Sequence, residues 1–270
     1  GHLLSQNREL LDGLQSTKSF PEMLNSYTER MSSNHGDSFR GAELLKFLRK
    51  HYSEDLSDCF FDTDRPFDET LAALKRLLVW FRTSFPYYYD SCLSCGNRER
   101  NAFVGYVMAT AAERSHKAAR TELYHCAACR AVSRFARYNA IMKVLETRRG
   151  RCGEYSVLML RFLEALGYEA RWVVDWADHV WTEARVGGRW VHVDPCEAAV
   201  DEPLLYESWG KKQTIIIAFT RQEAVDVTGR YTSDLDAAKA RRELGDDEMG
   251  QLLRRASARL AAGEEKRRSG

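Results

Sequence analysis

The chain has 270 residues, 44% hydrophobic and 29% charged, which suits a globular protein of one sizeable domain or two small ones. With 40 basic side chains against 39 acidic ones, the formal net charge is +1. That balance gives no electrostatic reason to expect nucleic acid or a membrane surface as partner, and no apolar run approaches the length of a membrane span.

In chain order, residues 1–90 read as mainly helical. Leu3, Leu10, Leu11 and Leu14 line one side of the first segment, and GAELLKFLRKHY follows. PFDETLAALKRLLVWF then carries Pro66 early and an apolar face through Leu71, Leu74, Leu78 and Phe81. Residues 91–130 hold two CxxC pairs. Residues 131–245 form a core segment in which helix and strand alternate from 135 to 231, with NAIMKVLETR, a helix after Cys152, YEARWVVDW, HVWTEARV, RWVHVDP and TIIIAFT. Residues 246–270 are charged and helical in pattern, ending in a solvated tail. No repeat or low-complexity linker separates these segments, so one folded body of α+β class is expected.

Four of the seven cysteines form the pairs Cys92-Leu-Ser-Cys95 and Cys126-Ala-Ala-Cys129. Each CxxC turn can present two thiolates to one tetrahedral zinc, and two turns close the site, leaving no open position for chemistry. A structural zinc is the expectation. No signal peptide opens the sequence, so a reducing compartment is expected rather than disulfides. His116 and His125 lie nearby as bystanders, and Cys59 and Cys196 are read as structural.

Cys152 stands in RGRCGEYS, just ahead of VLMLRFLEALG, where Leu158, Phe162 and Leu166 share a helical face and Gly167 is a natural stop. The thiol therefore sits at a helix N-terminus, where the dipole and free N–H groups favour the thiolate. Arg149 and Arg151 add positive charge. A lone cysteine is more often a small core hydrophobe, but flanking glycines and arginines favour a reactive one.

A nucleophile needs a base and a group to orient it. Gly187-Gly188 is a two-residue hairpin signal between HVWTEARV and RWVHVDP. It pairs Val186 with Arg189, Arg185 with Trp190, Glu183 with His192 and Trp181 with Asp194. His179, Trp181, Glu183, His192 and Asp194 then share one polar and aromatic face, with Val180, Thr182, Val191 and Val193 on a core-like face. His179 is the candidate base and Asp194 its orienting carboxylate, with His192 as rival base.

GRCGEY, DHVWTE and WVHVDPCE behind two CxxC pairs, with VLETRRGRCGE and PLLYESWGKK, closely resemble the cytoplasmic peptide:N-glycanases of the transglutaminase-like superfamily, from about Trp80 to Tyr231. The resemblance implies a transglutaminase-like (papain-like cysteine hydrolase) core with a helical N-terminal region and a zinc-binding subdomain built on four cysteines. It implies Cys152 as nucleophile, His179 as base, Asp194 as orienter, and Cys92, Cys95, Cys126 and Cys129 as zinc ligands. Trp181, Glu183, Tyr88 and Trp190 are then candidate substrate-binding residues, Tyr88 standing where the family has a tryptophan near the oxyanion. The implied activity is amide hydrolysis on N-glycosylated misfolded proteins in the cytoplasm. The terminal helices carry Leu3, Leu10, Leu14, Leu252, Leu253 and Leu260, and packing onto the body is the expected fate of each stripe. The resemblance implies a ubiquitin-receptor shuttle protein, through its XPC-binding domain, as the other occupant. Two alternatives stay open: another transglutaminase or cysteine protease, and a silent transglutaminase-like module that binds DNA or protein.

Overall fold

Apolar residues recurring every three or four positions wind α1 (Phe20–Gly36), α2 (Gly41–His51) and α3 (Phe67–Ser84). Pro66 precedes α3, whose first turn carries Asp68 and Glu69 toward the positive end of the dipole. Its inner face buries Leu74, Leu77, Leu78 and Phe81 completely, while Leu71 is only half-buried. The computed structural model describes residues 19–36, 40–88 and 91–269, so the leucine-bearing segment 3–14 lies outside the described residues.

Backbone contacts divide the chain into two compact units, one built mainly from Phe85–Glu154 and the other from Phe20–Ser84 with Tyr155–Gly270. In the first, β1 (Asn101–Val107), β2 (Ala118–Cys126) and β3 (Val132–Tyr138) form an antiparallel sheet in that order. No strand is expected from the sequence between 91 and 130. Register shifts at Phe103/Gly105 and Ala118/Thr121 break the alternation that would reveal them. The short helix α4 (Ala111–Ser115) is fixed by a capping box between Thr110 and Glu113, and α5 (Ile141–Thr147) follows β3.

The helix α6 (Cys152–Ala165) begins at the candidate nucleophile and ends before Gly167, whose φ of +92° only glycine adopts readily. Leu158, Phe162 and Leu166 are all buried, as their spacing predicts. Phe162 meets Phe47 of α2 and both Trp80 and Phe81 of α3.

The second unit's centre is an antiparallel sheet of β4 (Ala170–Asp175), β5 (His179–Val186), β6 (Arg189–Asp194), β7 (Ala199–Val200), β8 (Ile216–Phe219) and β9 (Ala224–Asp226). They lie in the order β7-β6-β5-β4-β8-β9. The β5–β6 hairpin has the expected register: Thr182 opposes Val193, Glu183 opposes His192 and Val186 opposes Arg189. Gly187 and Gly188 have φ of +55° and +78°, the two left-handed residues of a type I′ turn.

The expected division into a polar face and a core-like face does not survive packing. Both faces are covered, and from His179 to Ala184 every residue is buried. On one side Trp172 donates its indole N–H to Ser156 Oγ of α6 at 2.8 Å. On the other, Trp181 joins Val173, Ile216, Ala218, Tyr206, Val227 and Tyr231 in one apolar cluster.

Helices α7 (Leu235–Ala240) and α8 (Asp246–Ser269) close the chain. α8 stays helical to Ser269, with residues 265–269 exposed, and its earlier turns run along α1, burying Met249, Leu253, Ala256 and Leu260. Arg259 bonds Asn25 and Glu29 of α1. Of Leu252, Leu253 and Leu260, the last two are buried as α8 packs against α1 and β9, the packing onto the body that its amphipathic pattern leads one to expect.

Candidate active site

His179 opens β5 and Asp194 closes β6, so the hairpin's register alone makes them diagonal neighbours. His179 Nε2 lies 2.7 Å from Asp194 Oδ2. Asp194 is fully buried and also accepts from Tyr206 O–H at 2.8 Å and from the amide of Cys196 at 2.8 Å. Burial pushes its carboxyl up, but the hydrogen bond and charge of His179 outweigh that, helped by His192 and Tyr206, and hold it below the usual range. An ionised carboxylate can only accept, so Nε2 donates and the lone pair of a neutral imidazole falls on Nδ1. This is the tautomer a general base needs.

The rival base is accounted for. His192 is buried, its Nε2 is 2.6 Å from Tyr206 Oη and its Nδ1 accepts from the Glu202 amide at 3.4 Å. Burial lowers its pKa to about 4, so it stays neutral and shielded.

Within the first unit, Cys152 is half-buried and its neighbours are tightly tied. Tyr88 N–H donates to Gly150 O at 2.9 Å, fixing the segment before the cysteine. Glu154 accepts from Arg151 N–H at 3.0 Å and from Arg137 Nε at 2.7 Å. Glu122 takes both Arg137 and Arg151, the latter through both carboxylate oxygens at 2.9 and 3.0 Å. The positive charge of Arg151 is therefore matched by Glu122, while Arg149 is exposed.

The sugar-binding candidates fare differently. Trp181 is 0% exposed and Glu183 is 0% exposed, the latter held by Arg171, by Arg230 at 3.0 Å and by Tyr231 O–H at 2.7 Å. Neither offers a surface to a ligand, because β4 and the Tyr206–Tyr231 cluster cover the face the sequence leaves open. Tyr88 is likewise buried, its ring stacked on Phe135 at 3.9 Å. Trp190 is half-buried with the Arg171 guanidinium 4.2 Å from its ring centre. The residue missed is Trp209, 44% exposed, its ring 5.5 Å from His179 and 5.1 Å from Tyr206. It ends a short 3-10 turn, Leu205–Trp209, that Gly210 terminates at φ +75°. The signal is present in PLLYESWGKK but has no periodicity to assign it.

Cys92, Cys95, Cys126 and Cys129 converge, their sulfurs all within 4.8 Å of one another, and can hold a metal ion. Two similar turns present them: Gly96 N–H donates to Cys92 O at 2.8 Å, and Arg130 N–H to Cys126 O at 2.7 Å. Both turns use a left-handed residue, Gly96 at +72° and Arg130 at +63°. Sulfur separations of 3.5 Å for Cys92–Cys129 and 3.7 Å for Cys95–Cys126 match the edge of about 3.8 Å that a tetrahedron with metal–sulfur bonds of about 2.3 Å requires. Amide hydrogen bonds from Cys95 and Ser94 lower Cys92 to about 6. At Cys129 an amide from Ala131 favours the thiolate, yet the crowd of Cys95, Cys92 and Cys126 pushes it up to about 12. Four sulfurs so placed repel as thiolates and call for a cation. Among the described residues no His, Asp or Glu joins this cluster.

Residues 101–195 match the family described as the transglutaminase-like superfamily, and residues 177–268 match the Rad4 transglutaminase-like domain. The chain is 45% identical over 164 residues to a peptide-N(4)-(N-acetyl-beta-glucosaminyl)asparagine amidase of Gallus gallus, covering 59% of this chain and 25% of that protein. An amidase of the same name from Oryza sativa subsp. japonica is 44% identical over 165 residues, covering 60% of this chain and 36% of that protein. The chain thus spans between a quarter and just over a third of these relatives' length. Among solved structures, a chain of Rad4-Rad23 crosslinked to an undamaged DNA aligns with TM-score 0.45 and 14% identity, over 91% of this chain and 53% of that one.

Proposed function

We infer that this chain, a member of the transglutaminase-like superfamily and a relative of the peptide:N-glycanases, hydrolyses the amide bond between an asparagine side chain and an N-linked glycan. The observation that carries the reading is the buried His179–Asp194 pair at 2.7 Å, in the tautomer of a base, on a hairpin that follows a helix-terminal cysteine in the order Cys, His, Asp. The Cys152 thiolate forms a bond to the asparagine carbonyl carbon, and the oxygen takes the negative charge. Collapse of that adduct breaks the C–N bond, and the imidazolium of His179 protonates the departing glycosylamine. Water then gives a proton to His179 and attacks the thioester, releasing the thiol and leaving aspartate in place of asparagine. Asp194 keeps the imidazole oriented through both steps and stabilises its charged form.

Trp209, exposed beside His179, is suited to hold an apolar sugar face while the amide is cleaved. Cys92, Cys95, Cys126 and Cys129 would hold a zinc ion, whose four-thiolate coordination would fix the loops of the small sheet and leave no open position for substrate. N-glycosylated misfolded proteins are the natural substrates on this reading. A cytoplasmic setting suits the seven unbridged cysteines, and no described helix is long and apolar enough to cross a membrane.

Incubation with a denatured glycoprotein should release free glycan and leave aspartate at each former glycosylation site, about one mass unit heavier than unmodified asparagine. Cys152→Ala should abolish both while leaving circular dichroism unchanged. Glycan release that persists in Cys152→Ala would overturn the assignment.

A further inference from the structure

The hydrogen bonds that hold Asp194 continue past His179 into the sheet. Tyr206, in the 3-10 turn after β7, has one O–H and gives it to Asp194 Oδ2 at 2.8 Å. Its oxygen must then accept at the 2.6 Å contact with His192 Nε2, which makes His192 the donor there. That leaves His192 Nδ1 as an acceptor, facing the Glu202 amide at 3.4 Å, while the Asp201 amide pins the His192 carbonyl at 2.8 Å. Every donor in this series is used once and points the same way. A second proton on His192 would set two N–H groups against each other.

We propose that Tyr206 and His192 are positioning residues for the amide hydrolysis inferred above, a buried relay that aligns Asp194 and limits the basicity of His179. The proposal rests on that reading for its kinetic consequence but not for its structural one. Tyr206 and His192 are fully enclosed, and neither touches solvent through which a substrate could enter. Burial and the charge of Asp194 keep the Tyr206 phenol protonated well above its ordinary range, and burial keeps His192 neutral. Withdrawing electron density from Asp194 weakens its hold on an imidazolium, so the relay lowers the His179 pKa. Other titratable groups facing this site are Asp175, which opposes His179 on β4, Lys211 at 3.8 Å from Asp175, Glu197 in the turn after β6, Glu183 and Glu202 toward His192, and Tyr231 and Cys196 toward Tyr206. Asp175, Lys211 and Glu197 do not donate to Asp194 Oδ2.

Tyr206→Phe removes the donor and keeps the ring. It should raise the His179 pKa, read by NMR titration of the imidazole, by about half a unit or more. The acid limb of the kcat profile should move with it. Turnover should fall about 10- to 100-fold with KM within about twofold, as for one hydrogen bond to a charged group. His192→Gln places an amide N–H where Nε2–H stood and should restore most of the wild-type behaviour, whereas His192→Asn, with its amide at the Nδ1 position, should resemble Tyr206→Phe. If Tyr206→Phe does not fold, the Gln and Asn variants carry the test. An unshifted His179 pKa in Tyr206→Phe, or Gln and Asn variants that behave alike, overturns the relay. Absence of glycan release in the wild type would instead overturn the activity, and the NMR titration would still decide the relay.

Discussion

At the scale of single residues, identity and environment part company. Trp181 and Trp209 are the same side chain near the same histidine, 5.7 and 5.5 Å from its ring, yet one is sealed in the sheet and the other faces solvent. Trp181→Ala should therefore act on stability, by ~3–5 kcal/mol for a truncated buried aromatic, and a thermal melt should show it. Trp209→Ala should leave the melt near wild type and weaken glycopeptide binding. Equal melting temperatures for the two variants would contradict this division. His192 gives a pH signature of its own. Its folded pKa of about 4 lies below the ordinary value of 6.5, so the unfolded chain binds the proton more readily between those values. Its contribution is present in full above pH 6.5 and is lost as pH falls toward 4, a loss of about 3 kcal/mol. Denaturant unfolding at pH 7 and pH 4.5 should show that loss in wild type and much less of it in His192→Gln.

At the scale of elements, the hairpin is the part most fully written in local sequence. Two adjacent glycines demand a type I′ turn, that turn fixes the pairing, and the pairing places His179 beside Asp194. A Cβ at Gly188 meets nothing within 4 Å, so the cost of a side chain there is that of the left-handed backbone alone. Gly188→Ala should cost about 1 kcal/mol, and Gly188→Asn distinctly less, because asparagine tolerates this conformation. A Gly188→Ala protein as stable as wild type would mean that the turn had changed type. The three strands of the small sheet are not legible in the same way. The bulge between Phe103 and Gly105, and exposed Phe103, Val104 and Val132, spoil the alternation that a period-2 search requires.

At the scale of the whole molecule, the described residues of the first unit pack Tyr88, Tyr124 and Phe135 as one small cluster and Ala109, Ala118 and Ala136 as another. A metal ion held by its four cysteines would add to folding, since binding energy at a site the unfolded chain lacks is folding energy. Prolonged chelation should lower the first melting transition and activity together, whereas brief chelation below that transition should leave both intact. Activity lost with no change in melting or circular dichroism would contradict a structural metal.

The sequence by itself determined the cysteine pairs, the helix that starts at Cys152, the hairpin register and the order Cys, His, Asp. The first three depend on residues within a few positions of one another, where spacing and turn chemistry leave one solution. The order Cys152, His179, Asp194 spans 42 residues and is legible through its motifs. Tertiary structure decided what those faces meet. Alternation says that Trp181 and Glu183 lie on the same side as His179, but not that β4, Tyr206 and Tyr231 would bury that side, nor that Arg171 and Arg230 would come to Glu183. It decided also that Arg151 would answer to Glu122, 29 positions away in the chain, and that the exposed indole at the site would be Trp209. Burial is a property of what packs against a surface, and those partners come from segments whose sequence carries no mark of where they will lie.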